Sequence, residues 1–377
     1  MSPARLISNG LSTCLNGAMG PCKAEAAFTG KQMLLTSWEG HEMIDTPEQF
    51  VVELSIREVR EIEAAAREFA ASGRPVAEVS PAVFPLPEVG PKLFRLQKEL
   101  YEGKGFFVLR GLEPSRYEGE RNILIFAGIA SYVGDRRGLQ YKGGPALTHV
   151  IDLSSNQPMA VDQVVPQANR NVALPFHSDN CHILALYSLH SACKGGRSKL
   201  ASVRPVYDIL AARHPKVLEL LKKDWEWDSC DTDCEPFRRP LLFEADGNII
   251  LNYARRYFLG SPGYPRNPSV AAISDEQLLA LNVLDRVASE VALTFRFETG
   301  DVQFLNNLGI LHARESFVNS DLTGCRRHLL RMYLHDSVNG WSVPPELRGM
   351  MKDLYDHDQK AQKLPWTLSA LPYVASP

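Results

Sequence analysis

The chain has 377 residues and a net charge of −3, with 23% charged and 45% hydrophobic residues. This mixture is typical of a globular protein with a substantial core, built as one large domain or two ordinary ones. The slight acidic excess argues against a nucleic-acid partner, and the lack of an apolar run of about eighteen residues argues against a membrane-spanning helix.

The cysteines and the first residues indicate the compartment. Seven cysteines is an odd number, so a fully paired secreted disulfide framework is not expected. The N-terminal residues contain no continuous apolar core of the kind found in secretory signals. We therefore predict a reducing, cytoplasmic setting. Whether residues 1–30 are a cleaved organellar leader or an arm is left open.

The N-terminal quarter is predicted to contain an arm and one helix. Residues 1–50 show no clear hydrophobic period and are interpreted as a mobile arm or a cover. Residues 56–71 have a helical pattern, which Gly73 and Pro75 end. Four prolines between residues 81 and 91 predict an extended linker.

From residue 147 onward, short β-rich runs recur between turn residues. They lie at residues 147–153, 172–176, 182–189, 241–243, 249–253, 291–297, 302–305 and 329–334. This spacing is typical of a β-sandwich or barrel. Helices are predicted at residues 206–223 and 274–289, and a capping-box pair, Ser274 and Gln277, opens the second.

These patterns divide the chain at residue 90. We expect residues 1–90 to form an arm and a helix that pack on a barrel. Residues 91–377 are expected to form the main domain, which is mainly β, with a helical insert at about residues 204–289.

His177 and Asp179 form the first candidate site. On an extended chain, residues i and i+2 point to the same face, so one imidazole and one carboxylate can meet a single ion. The pair alone occurs easily by chance, and taken by itself it is better explained by a histidine hydrogen-bonded to a nearby aspartate.

His312 follows a predicted strand and could complete a site with the first pair. Two histidines and one carboxylate form the facial triad of non-haem Fe(II) oxygenases, which leaves three coordination positions open. A single His312 also fits a core histidine whose hydrogen bonds are satisfied within the protein.

Arg327 and Arg331 share one face of a predicted strand with Leu329 and Tyr333. Strand faces seldom bury unpaired cations, so a buried guanidinium there needs an anion, and its planar fork suits a carboxylate. Two arginines of an edge strand that reach solvent are the alternative.

The order of these elements is more specific than any one of them. An H-x-D pair, then Gly195-Gly-Arg-Ser198, a long insert, a distal histidine and an arginine fifteen residues later resemble the Fe(II)- and 2-oxoglutarate-dependent dioxygenases. The sequence is most similar to the taurine dioxygenase/dichlorophenoxyacetate dioxygenase (TauD/TfdA) family, with its clavaminate-synthase-like relatives. The resemblance extends from about residue 105 to about residue 344.

The resemblance implies a double-stranded β-helix, a jelly-roll or cupin-like barrel, flanked by helices. In that family, positions matching His177, Asp179 and His312 are the metal ligands and act in catalysis. Arg327 matches the arginine that binds the distal carboxylate of 2-oxoglutarate. Ser198 falls where the family usually has a threonine hydroxyl on that cosubstrate.

Arg331 matches a position that often meets an anionic group, either of the substrate or of the inner end of the cosubstrate. The implied cofactors are Fe(II), 2-oxoglutarate and O2. The implied reaction oxidises an aliphatic C–H bond of a small anionic substrate, such as an amino acid or carboxylic acid, and releases succinate and CO2.

The substrate contacts are less defined. Gln140 and Asn180 are candidates for polar contacts. His182 lies three residues after Asp179, on the opposite face of an extended chain, and is expected to be structural. The insert, with Trp225, Trp227 and residues 253–258, is either a pocket wall or ordinary packing around the barrel.

Two alternatives remain open from sequence. The same iron site supports oxidative cyclisation or desaturation in specialised metabolism. A non-catalytic β-barrel that binds a small molecule is the other alternative, although it has no reason to retain the triad together with Arg327. A homodimer is also left open, and neither a nucleic acid nor a membrane is expected as a partner.

Overall fold

The computed structural model describes residues 37–153, 166–228, 236–261, 265–320 and 324–366. The expected N-terminal arm falls largely outside these residues and stays a prediction, as does the boundary at residue 90. Within the described part of the chain, no helix is long and apolar enough to cross a membrane.

Eight α-helices and seventeen strands are formed by the described residues. The helices are α1 Ile56–Ala71, α2 Val89–Glu99, α3 Gly119–Ala130, α4 Val203–Arg213, α5 Pro215–Leu221, α6 Arg256–Leu259, α7 Asp275–Val291 and α8 Pro345–Tyr355. The strands are β1 Val51–Glu53, β2 Phe106–Arg110, β3 Arg136–Gly138, β4 Leu147–Ile151, β5 Leu174–His177, β6 Ile183–His190, β7 Lys194–Gly195, β8 Ser198–Ser202, β9 Trp225–Trp227, β10 Phe237–Arg239, β11 Leu242–Ala245, β12 Asn248–Leu251, β13 Leu293–Phe295, β14 Val302–Asn306, β15 Ile310–Arg314, β16 Phe317–Val318 and β17 His328–His335.

Two sheets carry the fold. The larger has the order β1-β2-β14-β6-β17-β3, with β4 also paired to β17, and the smaller has the order β13-β8-β15-β5. Both sheets contribute to one hydrophobic core, in which Phe304 and Leu330 of the larger sheet join Leu200 and Ile310 of the smaller. The prediction of a mainly β fold with helical inserts is confirmed.

The first helix packs on this core. Helix α1 spans the predicted residues and begins with a capping box in which Ser55 and Glu58 bond to each other's main chain. Its buried face, which includes Ile62 and Phe69, contacts α3 and joins the core of the two sheets. The amphipathic pattern is sufficient to place this helix because burial follows its apolar face.

The predicted linker at residues 81–91 is wrong at its end, because α2 begins at Val89. Pro91 lies in the first turn, where the missing N–H costs no helical hydrogen bond. The Glu61 carboxylate of α1 accepts hydrogen bonds from the main-chain N–H groups of Glu88 and Val89, at 3.0 and 3.1 Å. Helix α8 was also not predicted.

The insert builds a second core. The single helix predicted at residues 206–223 is wrong, because Pro215 begins a separate helix, α5, after α4 ends. Helix α7 confirms the capping box of Ser274 and Gln277. Trp225 and Trp227 are buried in this second core, so for these two residues the packing interpretation holds.

Candidate metal centre and substrate pocket

A register pair between two strands brings the two predicted histidines together. Strands β5 and β15 are antiparallel, and His312 lies directly opposite His177. Their ring centroids are 4.0 Å apart. Asp179 joins them, since one ligand atom from each of the three residues lies within 4.8 Å of the others.

The direction of Asp179 does not come from strand alternation. Strand β5 ends at His177, so Asp179 already lies in the following turn. The side-chain amide of Asn307 binds the main chain there: its Oδ1 accepts from Asp179 N at 2.9 Å, and its Nδ2 donates to Asp179 O at 2.6 Å. Strand alternation alone therefore does not explain why the Asp179 carboxylate meets the two histidines, and the contacts with Asn307 contribute to it.

The insert holds the other side of the same turn. His177 forms an isolated antiparallel bridge with Ala254. The main-chain N–H of Ser178 donates to Tyr253 O at 2.8 Å, and Tyr253 N donates to Ser178 Oγ at 3.0 Å. The ligand-bearing turn is thus fixed between the sheet and the insert.

The protonation states suit a divalent cation. Burial lowers the pKa of His177, and burial together with His177 lowers the pKa of His312 to about 3. Burial alone raises the pKa of Asp179, but Arg331 and the two histidines outweigh it and lower this pKa to about 2. Two neutral imidazoles and one carboxylate are therefore present at neutral pH, as a metal ligand set requires.

Hydrogen bonding also selects a ring nitrogen. His177 Nδ1 lies 2.9 Å from Pro175 O, which accepts only if Nδ1 carries the proton. The Nε2 lone pair of His177 is then available to a metal. On His312, Nε2 lies 3.9 Å from Asp179 Oδ2. The residues present therefore fit the facial triad of a non-haem Fe(II) centre.

Arg331 lies beside the triad. It projects from β17, with its Nη1 at 3.3 Å from Asp179 Oδ2 and its Nε donating to Gln140 Oε1 at 2.9 Å. The Gln140 Nε2 in turn donates to Ala146 O at 3.3 Å. This chain of contacts holds the guanidinium at the pocket wall.

His177 and Asp179 line a pocket of about 120 Å³. Arg331, Gln140 and Asn180 all line it, so the predicted substrate contacts are brought to one place. Asn180 Nδ2 donates to Tyr257 Oη at 3.3 Å, and Arg256 also donates to Tyr257 Oη, at 3.0 Å. The pocket-wall interpretation of the insert thus holds for Tyr257 and Arg256, which come from α6.

Arg327 lies in a different place. It lines a second, smaller cavity of about 20 Å³ with Ser188 and Gly196. Among the described residues its guanidinium has no acidic partner, and burial followed by the nearby Arg314 lowers its pKa to about 9. A cation buried in this way needs an anion.

The Gly-Gly turn approaches this arginine closely. Gly196 has φ of +69°, and a methyl group on it would lie 3.7 Å from Arg327 Cδ. Ser198 begins β8 two residues later, opposite Arg314 of β15. Arg314 is otherwise occupied, because its Nη2 donates to the carbonyl oxygens of Arg170 and Val172 at 2.7 and 2.5 Å.

Sequence reasoning missed two residues near these groups. Ser188 has a fully buried hydroxyl that has no hydrogen-bond partner among the residues the structure describes, and it lines the cavity of Arg327. Asn307 binds the turn of Asp179. Neither position carries a spacing signal, although Asn307 directly follows the strand that leads to His312. His182 lies outside the triad, with its ring centroid 4.1 Å from that of His335.

A comparison with protein-family models matches residues 71–333 to "Taurine catabolism dioxygenase TauD, TfdA family". The "Taurine hydroxylase-like protein SAT17" of Stachybotrys chartarum is 44% identical over 341 residues, which cover 90% of this chain and 88% of that protein. The "FR-33289 synthase" of Streptomyces rubellomurinus is 24% identical over 299 residues, which cover 76% of this chain and 85% of the synthase.

Solved structures share the fold. Asparagine oxygenase in complex with Fe(II), 2S,3S-3-hydroxyasparagine and succinate superposes with a TM-score of 0.58 at 16% identity, covering 78% of this chain and 98% of that one. The non-heme iron oxygenase OrfP in complex with Fe and alpha-ketoglutaric acid gives a TM-score of 0.56 at 16% identity, covering 76% of this chain and 95% of that one.

Proposed function

Because the chain belongs to the TauD, TfdA family of dioxygenases, and is thus an Fe(II)- and 2-oxoglutarate-dependent oxygenase, we propose that His177, Asp179 and His312 hold its iron. The observation that carries this assignment is the convergence of the three side chains across the β5–β15 pair. Bound Fe(II) supplies the oxidising chemistry with O2 at the positions that the protein leaves open.

The cosubstrate would be held by its distal carboxylate at Arg327. The support is a buried guanidinium in a cavity that Ser188 also lines. Within the described part of the chain, this guanidinium has no acidic partner and the Ser188 hydroxyl has no hydrogen-bond partner. An arginine fork matches a carboxylate with two parallel hydrogen bonds. Ser198, which follows the Gly-Gly turn, is not among the residues that line this cavity, and its contact with the cosubstrate stays a prediction.

The substrate would be a small anion, and an amino acid is the class we favour. Asparagine oxygenase and OrfP, whose structures are similar, have been crystallised with hydroxylated asparagine and with (3S)-hydroxy-L-Arg. Arg331 would bind the substrate carboxylate, because Gln140 and Asp179 already orient its guanidinium. Asn180 would supply a neutral polar contact across the pocket.

The chain's own residues exclude water and fix geometry. Tyr257 and Arg256 close one side of the pocket, and the bridge of His177 to Ala254 ties that side to the triad. Holding the reacting carbon close to the open metal positions would lower the entropic part of the barrier, because the reactants are already oriented when they are bound. The protein's contribution is thus placement and shielding.

The test is metal-dependent turnover followed by product mass. The metal-stripped protein should consume 2-oxoglutarate and form succinate only when Fe(II) is restored, with a panel of amino and carboxylic acids as substrates. A product heavier by one oxygen means hydroxylation, and a product lighter by two hydrogens means cyclisation or desaturation.

Variants locate the chemistry. Asp179→Ala and His312→Ala should each abolish turnover and keep the cooperative unfolding of the metal-free protein, since an open-site metal serves catalysis more than folding. His214→Ala, a histidine in the α4–α5 connection that bonds Arg286, is the matched control and should retain activity. Turnover in either ligand variant would refute the triad. A cytoplasmic location and a homodimer stay predictions.

A further inference from the structure

We propose that Asn307 is a positioning residue that sets the metal affinity of the site by holding the main chain of Asp179. The inference rests on the iron site proposed above and adds to it a residue that touches neither metal nor substrate. Asp179 lies in a turn beyond the end of β5, so contacts other than strand pairing must keep its carboxylate directed at His177 and His312.

The contacts of Asn307 form a closed set. Its side chain is fully buried. The amide oxygen accepts from Asp179 N at 2.9 Å, and the amide nitrogen donates to Asp179 O at 2.6 Å and to Cys181 O at 2.8 Å. Its main-chain N–H donates to His182 O at 2.9 Å. Every one of these bonds goes to Asp179, Cys181 or His182.

An amide is the side chain that this geometry requires. The Asp179 peptide presents both a donor and an acceptor, and an asparagine amide supplies the matching acceptor and donor in one plane. A carboxylate would place oxygen against the carbonyl oxygens of Asp179 and Cys181. The residue therefore imitates a neighbouring strand at a point where β5 has already ended.

Asn307 also links the two halves of the ligand set. It lies directly after β14, five residues before His312, and bonds to a segment 128 residues away in the chain. The turn that bears Asp179 and the turn that leads into β15 consequently move together. Ligand side chains must be held to within about 0.5 Å for a productive site.

Asn306, the last residue of β14 and the neighbour of Asn307 in the chain, provides a matched control. It is equally buried, at 1% exposure against 0% for Asn307. Its Nδ2 donates to Leu100 O at 3.0 Å and its Oδ1 accepts from Leu308 N at 3.1 Å. Its side-chain bonds are thus comparable, but neither goes to the ligand turn.

The experiment measures metal binding without turnover. Anaerobic titration of metal-free protein with Fe(II), and with Co(II) as a spectroscopic probe, gives the dissociation constant for wild type, Asn307→Ala, Asn307→Asp and Asn306→Ala. Loss of a partner that orients a ligand typically weakens metal binding about 10–100-fold. We expect this loss in both Asn307 variants, with an altered Co(II) ligand-field spectrum, and at most about a twofold change in Asn306→Ala. His312→Ala is the reference for a broken ligand set.

A second readout follows the turn itself. Hydrogen exchange of the metal-free protein should show faster exchange at the Asp179 amide in Asn307→Ala, and unchanged exchange there in Asn306→Ala. Exchange reports local opening separately from global unfolding.

Each outcome decides the question. Wild-type affinity in both Asn307 variants would overturn the proposal, and so would an equal loss in Asn306→Ala. If both Asn307 variants fail to fold while Asn306→Ala folds, the role is structural and the proposal is wrong. If wild type and His312→Ala bind metal equally, the iron site itself is refuted, which is a different failure.

Discussion

Replacing Arg327 by alanine should remove most of the affinity for 2-oxoglutarate without destabilising the ligand-free protein to the same degree. The guanidinium is buried, lies near Arg314, and has no acidic partner in the described part of the chain. The buried charge of Arg327 therefore destabilises the ligand-free protein, and in the complex it binds the carboxylate of 2-oxoglutarate. Alanine removes both, at the expense of a small cavity.

The magnitude follows from the bond type. Hydrogen bonds between charged groups contribute about 1.5–3 kcal/mol, which corresponds to roughly a 10- to 150-fold loss of affinity at about 1.4 kcal/mol per factor of ten. At a 2-oxoglutarate concentration 100 times the wild-type Kd, ligand stabilises the native protein by about 2.7 kcal/mol. After a loss of about 100-fold in affinity, only about 0.4 kcal/mol remains.

Thermal unfolding with and without 2-oxoglutarate, under anaerobic conditions, measures this difference. The ligand-induced rise in Tm should nearly vanish in Arg327→Ala and shrink in Arg327→Lys, which keeps the charge but loses the fork. Arg197→Ala is the matched control. Arg197 lines the same cavity but is exposed and paired with Glu315 through two bonds of 2.8 Å. A full ligand shift in Arg327→Ala, or its loss in Arg197→Ala, would contradict the assignment.

Three further outcomes are expected. Arg331→Ala should raise the substrate KM by about 10-fold or more while the Kd of 2-oxoglutarate changes little, because charge-assisted contacts are local. Steady-state kinetics measure the KM, and the ligand-dependent Tm measures the binding of 2-oxoglutarate. Weaker binding of 2-oxoglutarate with an unchanged substrate KM would mean that Arg331, and not Arg327, binds the cosubstrate. Burial, followed by the neighbouring His335, lowers the pKa of His182 to about 3, against 6.5 in the unfolded chain. Between these two pH values the unfolded state binds more protons than the folded state. The contribution of His182 to stability is therefore fully present above about pH 6.5, and it falls by about 1.4 kcal/mol per pH unit as the pH drops through this window. Urea unfolding between pH 6 and 5 should show a shallower slope for His182→Gln, and an identical slope would argue against a buried neutral imidazole. Asp301→Ala should cost about 1.5–3 kcal/mol of unfolding free energy, because it removes the two 2.8 Å bonds between a fully buried carboxylate and Arg110. The part-buried Arg110 keeps Glu298 at 3.6 Å, and a loss below about 1 kcal/mol in chemical denaturation would mean that the pair is solvated.

Local patterns in the sequence determined several elements directly. The apolar period and the cap of α1, and the Ser274–Gln277 capping box of α7, are confirmed because such signals depend on residues within one or two turns. The order of the H-x-D pair, the distal histidine and the arginine likewise indicated the family, because only a few residue types can bind a metal or a carboxylate.

Only the tertiary structure decided how those residues meet. The pairing of His312 with His177 depends on the register of β5 against β15, and register is set by packing between distant strands. Asp179 lies past the end of its strand and is held by Asn307, 128 residues away. Arg327 and Arg331, four residues apart, line different cavities. A contact between segments far apart in the chain leaves no local period or spacing in the sequence, because its energy arises only when the sheets close on one core.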